Sequence, residues 1–156
     1  MSFTILINSL TLNNFSPQDI TIYLQNSIPN HLTKVGLKYL FLHHQTDLMR
    51  MFLIDPKNAK VNNLITFKNI YVHCDIISKD TNYLNGQKSD LLFVAPYNAS
   101  PARKCAFYNI ENCLYKKLKS SDITSIRIYL TDSNNAILDS TSLGGQLALV
   151  YELDFV

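Results

Sequence analysis

Two short segments constrain the fold of this chain most: Asn69–Ile77 (NIYVHCDII) and Asp90–Pro96 (DLLFVAP). Both are dense in β-branched, aromatic and aliphatic residues, which favour pleated strands, and both end in residues that stop strands. A polar stretch that contains a glycine, Ser78–Ser89, joins them. The pair is therefore predicted to be two strands inside the core of a β-sheet protein rather than two faces of helices.

Similar runs recur along the chain. Strands are predicted at Phe3–Leu12, Asp19–Ile28, Val35–His43, Met49–Ile54, Leu64–Ile77, Asp90–Val94, Ile123–Leu130, Ala136–Leu138 and Leu147–Val156. Thr131–Asn135 has the residues of a hairpin turn. Roughly eight or nine strands, with no regular strand–helix alternation, no linker and no repeat, predict one all-β domain over residues 1–156, an antiparallel β-sandwich or barrel.

Two segments leave alternatives open. Ser16–Asp19 contains Pro17, which suits the first position of a short helix, although the β-branched run after it favours a strand. Cys105–Lys119 has four apolar residues at helical spacing. This second segment is either a short helix or an irregular pair of strands.

Composition excludes several classes of protein. The chain is 47% hydrophobic, which excludes wholesale disorder. Only 17% of its residues are charged, which suits a surface covered by neighbours and equally a coding region of biased nucleotide composition. A net charge of +2 predicts no specific nucleic-acid site. No run approaches the ~20 apolar residues of a membrane span, and the first residues lack the features of a signal peptide.

The cysteines and histidines predict no metal site and no nucleophile. Three cysteines without CxxC spacing favour neither a disulfide framework nor zinc, as expected for a protein made in a reducing compartment. His43 and His44 are adjacent on a strand and point to opposite faces, so they cannot easily chelate one metal. In His73-Cys74-Asp75, alternation places Cys74 in the core and the other two side chains on the opposite face. We therefore expect no catalytic residues.

Charged clusters are likewise interpreted as structural. Glu152 and Asp154 share one face of the closing strand, where we expect them to guard a sheet edge against pairing. Lys116–Lys119 is interpreted as a solvated face. Asp132–Asn135 offers only a hint of a calcium site, and no cofactor is predicted.

The order of the segments carries a family resemblance. The segments are, in order, Phe67–Ile77, a loop through Gly86, DLLFVAP, Ile123–Asp132 (ITSIRIYLTD) and the closing apolar strand. This order resembles that in the penton-like minor capsid proteins of Polinton/Maverick elements, adintoviruses and virophages. Phe15–Ile28 followed by Val35–His43 resembles the opening strands of that family. The chain lacks the family's tryptophan, and Asn134-Asn135 stands where an Asp-Gly turn is expected.

The resemblance implies a single jelly roll of about eight strands and a structural role in a virion. Five copies are expected to close an icosahedral vertex beside the major capsid protein, with a trimer as the alternative state. The chain is then made in the cytoplasm or nucleus of the host cell. Two other functions remain open: a fibre-like attachment module that binds a host receptor, and a non-viral carbohydrate-binding sandwich.

The same resemblance places function in the loops at one end of the sandwich. We expect Ser78–Ser89, Pro96–Lys104 and Asp132–Leu143 to be the interaction loops. In an attachment module, the exposed aromatic residues of these loops, such as Tyr83 and Tyr97, would meet the receptor.

Overall fold

A computed structural model describes residues 3–9, 18–44, 69–96, 105–119, 122–138 and 147–156 of the chain. Eleven strands lie within these ranges. They are β1 (Phe3–Asn8), β2 (Asp19–Tyr23), β3 (Lys34–His44), β4 (Asn69–Cys74), β5 (Tyr83–Leu84), β6 (Gln87–Lys88), β7 (Leu91–Pro96), β8 (Cys105–Asn109), β9 (Lys116–Lys117), β10 (Ser125–Thr131) and β11 (Leu147–Phe155). A short 3-10 turn, Lys79–Thr81, precedes β5.

The long strands form two antiparallel sheets. Sheet A has the order β1-β11-β3-β8, with β9 paired to the beginning of β3. Sheet B has the order β2-β10-β4-β7, and β5 and β6 form a separate hairpin. Neighbours within a sheet are distant along the chain, because the chain crosses between sheets after β1, β2, β3, β7, β9 and β10. This is jelly-roll topology, and the predicted all-β sandwich is confirmed.

The core lies between the two sheets and follows the alternation of their strands. On β4, Ile70, Val72 and Cys74 are fully buried. Similar alternating sets come from β10 and from β11 of the opposite sheet, and both belong to the same core cluster. Burial of hydrophobic side chains from both inner faces is what holds a sandwich together.

Several predicted boundaries shift. The strand predicted at Asp19–Ile28 leaves the ladder after Tyr23. In Ala136–Leu138 only a single bridge forms, between Thr131 and Ile137. The open segment Cys105–Lys119 forms two short strands rather than a helix, and both pair with β3 instead of with each other. The strand predicted at Met49–Ile54 lies outside the described residues.

The expectation that Glu152 and Asp154 guard an edge strand is wrong. Their strand, β11, lies in the middle of sheet A, where it pairs with β1 on one side and with β3 on the other. The position of a strand along the chain does not fix its position in a sheet, since the jelly-roll path inserts the last strand between the first and third. In the described ranges, no helix is long and apolar enough to cross a membrane.

Candidate interaction surfaces

A buried polar cluster lies on the outer face of sheet B, with His73 of β4 at its centre. The His73 Nδ1 atom lies 2.8 Å from Oδ1 of Asp90, and Nε2 lies 2.9 Å from Oγ1 of Thr131. When Nδ1–H of a neutral imidazole donates to the carboxylate, Nε2 accepts a hydrogen bond from the Thr131 hydroxyl. The order carboxylate, imidazole, hydroxyl is that of a hydrolase triad. Here His73 and Thr131 are each only 1% exposed, so the cluster offers no open access to a substrate.

Tyr129 completes the cluster from the neighbouring strand β10. Its hydroxyl donates to the Asp90 carboxylate, at 2.9 Å from Oδ1 and 2.8 Å from Oδ2. Its ring stacks on the His73 imidazole with centroids 4.8 Å apart. Burial by itself raises the pKa of the Asp90 carboxyl, but the hydrogen bonds from His73 and Tyr129 outweigh this, and the pKa is lowered from 3.8. The carboxylate is therefore a well-satisfied buried charge.

Arg127 extends the polar chain to the other edge of sheet B. Its guanidinium lies 4.5 Å from the centroid of the Tyr129 ring and forms two hydrogen bonds of 2.8 Å with the Asp19 carboxylate. The hydrogen bonds to Asp19 raise the pKa of Arg127 above its usual value. The backbone N–H of Arg127 donates to Oδ1 of Asp75 at 2.8 Å. Polar contacts thus connect β2, β10 and β4 with Asp90, the residue that precedes β7.

The structure places Cys74 and His73 on opposite faces of β4, as alternation predicted. Cys74 lies in the core, where burial raises its thiol pKa to about 12. Sequence reasoning missed the real partners of His73, which lie 17 and 58 positions away. A usable signal was present for one strand, since Tyr129 and Thr131 alternate onto a single face of β10.

The described parts of two predicted interaction loops meet at one end of the sandwich. Ser78–Ser89 contains the β5–β6 hairpin, and residues 132–138 form a turn that returns to β10. Together they line a groove with a volume of about 210 Å³. Apart from Pro96, the third loop, Pro96–Lys104, lies outside the described residues, as do residues 139–143 of Asp132–Leu143 and Tyr97.

The hairpin wall of the groove is fixed by its turn and its base. Asn85 and Gly86 have φ angles of 50° and 80°, the signs of the turn that fits the twist of a two-residue hairpin. At the base, the Asn82 side chain donates to the carbonyl oxygens of Ser89 and Leu91 at 2.8 and 2.9 Å. Asn82 is buried, so these two bonds anchor the hairpin to β7.

The opposite wall is a turn closed by Asp132. Its Oδ1 atom accepts from the backbone N–H groups of Asn134 at 2.8 Å and Ala136 at 3.0 Å. Asn135 takes a φ of 64°, a conformation that asparagine tolerates better than most residues. The predicted hairpin turn is present, and the Asp132 carboxylate serves the turn itself. Among the described residues, no group of three or more His, Cys, Asp or Glu side chains is placed to hold a metal ion.

His73 connects the two walls. Asp90, which its Nδ1 contacts, directly follows the hairpin segment, and Thr131, which its Nε2 contacts, directly precedes the Asp132 turn. The buried imidazole therefore connects the base of one loop to the base of the other and fixes the distance between them. We interpret His73 as a positioning residue for the groove.

The outer face of sheet A differs, because a row of apolar side chains crosses three of its strands. A cross-strand row runs from Asn8 through Val150 and Phe41 to Phe107, one residue from each of β1, β11, β3 and β8. Leu6 lies two residues from Asn8 on the same face of β1. Leu6 and Phe107 are each 67% exposed. Apolar side chains that remain at the surface in a contiguous group are typical of interaction sites.

A polar feature borders this row. Tyr115 donates a hydrogen bond of 2.7 Å to Oδ2 of Asp154, and this bond raises the pKa of Tyr115 to about 12. The Tyr115 ring covers Gly36, where an added Cβ would lie 3.1 Å from the ring. Asp154 is only 5% exposed, and among the described residues nothing donates to its Oδ1 atom. A buried acceptor therefore lies on the same face of β11 as Val150, four residues further along the strand.

Comparison with solved structures finds a match over almost the whole chain. The match covers 99% of this chain and 98% of the other, with a TM-score of 0.61 and 9% sequence identity. In fold, this chain is similar to the mavirus penton protein. No family model and no curated protein matches the sequence. Similarity to a penton protein, which the order of sequence segments predicted, is thus confirmed at the level of the fold.

Proposed function

We propose that this chain is a penton-like virion component, five copies of which form a ring at an icosahedral vertex beside the major capsid protein. One observation carries the proposal. The chain shares its fold with the mavirus penton protein from end to end, and neither chain has a substantial part outside the match. A single jelly roll of this extent is the structural unit that the role needs.

The outer face of sheet A is the surface that supports ring assembly best. A ring forms when one face of each copy binds a different face of the next and the rotation closes. Val150, Phe41 and Phe107 form an apolar row on one such face, and Leu6 adds an exposed apolar side chain on β1. Aromatic residues at the centre of a protein contact contribute most of its energy.

The mass of the assembled full chain tests the proposal. Native mass spectrometry is expected to show five copies, and Phe107→Ser is expected to shift the chain to the monomer. Ile137→Ser is the matched control, because Ile137 is 51% exposed but lies outside sheet A. A trimer would favour the attachment module instead, and a wild-type monomer at all concentrations contradicts the proposal.

A further inference from the structure

The groove between the β5–β6 hairpin and the Asp132 turn is lined mainly by polar residues. Seven of its eight lining residues are polar, and none is acidic. They are Leu84, Asn85, Gln87, Lys88, Ser89, Ser133, Asn134 and Asn135. Four carry carboxamides and two carry hydroxyls, and each of these groups both donates and accepts hydrogen bonds.

This lining fits a ligand that is neutral and itself both donates and accepts. The hydroxyl groups of a sugar do so at every ring carbon that bears one. The only charged lining side chain is Lys88, whose ammonium lies 3.3 Å from the Asp80 carboxylate. Since Asp80 offsets this charge, the groove offers no uncompensated cation to a phosphate, a sulfate or a sialic acid carboxylate.

The size and rim of the groove fit one unit of a longer chain. A volume of about 210 Å³ is below the ~300–1,000 Å³ of sites that enclose a whole drug-sized ligand. Tyr83 pairs across the hairpin with the lining residue Lys88 and is 58% exposed. Its ring gives the same loop an aromatic surface on which the apolar face of a sugar can pack.

Both walls are held before any ligand arrives. The Asn85-Gly86 turn and the buried Asn82 fix the hairpin, and Asp132 closes the opposite turn. The hydrogen bonds of His73 to Asp90 and Thr131 fix the distance between the two walls. Preorganised walls lower the entropic cost of binding, which matters for a small and shallow site.

We propose that this groove binds a terminal sugar of a neutral glycan. Gln87 and Asn134, on opposite walls, hydrogen-bond the sugar hydroxyls, and Tyr83 packs against the next unit. The site belongs to each copy alone, so binding does not depend on the five-copy ring.

An array of oligosaccharides tests this proposal with the full chain. The array holds neutral glycans that end in galactose, glucose, mannose or N-acetylglucosamine, beside their sialylated and sulfated forms. The wild type is expected to bind a subset of the neutral glycans, and the double variant Gln87→Ala/Asn134→Ala to lose at least ~10-fold in affinity, about 1.4 kcal/mol. Gln25→Ala/Asn26→Ala is the matched control, because both residues are exposed and lie outside the groove.

Three outcomes overturn the proposal: no glycan bound by the wild type, stronger binding of acidic than of neutral glycans, or equal binding by the groove variant. The groove variant is expected to keep the wild-type mass. Loss of glycan binding with an intact five-copy mass therefore separates the groove from the ring. A chain that binds neutral glycans as a monomer keeps the groove and contradicts the ring.

Discussion

The outer faces of the two sheets differ in how their side chains are partnered. On sheet B, His73, Asp90, Tyr129 and Arg127 satisfy one another across the strands, and His73 is almost completely buried. On sheet A, Leu6 and the Phe107 row present apolar side chains to the surface. The first face is completed by its own chain, through side chains that also hold the loops. The second keeps apolar side chains at the surface, and in the proposed ring a neighbouring copy covers it.

This difference predicts where the chain is fragile. Removing one member of a buried polar cluster leaves its partners desolvated and unpaired, which is expensive. Removing an exposed apolar side chain costs the isolated chain little and can only affect an association. Substitutions on sheet B should therefore change the free energy of unfolding, and substitutions on sheet A should change the mass of the assembly.

The largest effect is expected for His73→Ala. The substitution leaves Asp90 and Thr131 without their imidazole partner and removes a side chain that is only 1% exposed, so we expect a loss of about 3 kcal/mol in the free energy of unfolding. Urea denaturation measures it. Thr4→Ala, at an exposed position on sheet A, is the control and should change the value by less than about 0.5 kcal/mol. A His73→Ala loss below about 1 kcal/mol would show that the cluster contributes little.

Asp90→Asn should have the next largest effect, and it should depend on pH. The folded pKa of Asp90 is lowered from 3.8, so its carboxylate stabilises the fold above the unfolded pKa. That contribution disappears as the pH falls below 3.8 through the folded pKa. At pH 7 we expect the variant to lose about 2 kcal/mol, a value typical of hydrogen bonds to a charged group.

The pH dependence is checked by urea denaturation of both proteins between neutral and strongly acidic pH. The difference between the wild type and Asp90→Asn should be constant above about pH 5 and should shrink in acid. A difference that stays constant into acid would mean that the carboxylate charge does not contribute.

A smaller effect is expected for Arg127→Met. The guanidinium makes two hydrogen bonds to Asp19, but both side chains are more than 30% exposed, so solvent screens the pair. We expect the free energy of unfolding to fall by about 1 kcal/mol or less. This loss should be larger at low salt than at high salt, because salt screens the ion pair. A loss above about 2 kcal/mol would place Arg127 in the same energetic class as His73.

The smallest effect on the isolated chain is expected for Leu6→Ser. Leu6 is largely exposed, so the free energy of unfolding of the monomer should change by less than about 0.5 kcal/mol. The same substitution should weaken the five-copy assembly measured by dilution and native mass spectrometry. If Leu6→Ser destabilises the monomer as strongly as Arg127→Met, the sheet A face is part of the fold rather than a surface left for a neighbour.

Much of the fold follows from local patterns in the sequence. The segment NIYVHCDII alternates with a period of two, so it predicted correctly that Cys74 lies in the core and His73 on the other face. Thr131–Asn135 was predicted as a turn from residues that favour turns, and Asn135 takes the positive φ that its residue type tolerates. These features depend on a few neighbouring residues.

Features that depend on pairing between distant strands were predicted less well. Glu152 and Asp154 were placed on an edge because like charges on one strand face guard an edge against pairing, whereas β11 is central. Nothing in the local sequence around His73 names Asp90 or Thr131 as its partner. The apolar residues of Cys105–Lys119 allowed a helix, and only their pairing with β3 decided for strands.

The sequence by itself thus determined the type of element, the face to which each strand residue points and the resemblance to penton-like proteins, because strand alternation and turn chemistry are local. Only the tertiary structure decided which strands are neighbours. That decision placed His73 between two loops, joined those loops into an amide-lined groove and aligned Val150, Phe41 and Phe107 into one row. The reason is physical: sheet neighbours in a jelly roll are set by the packing of the whole chain, and no short segment contains that information.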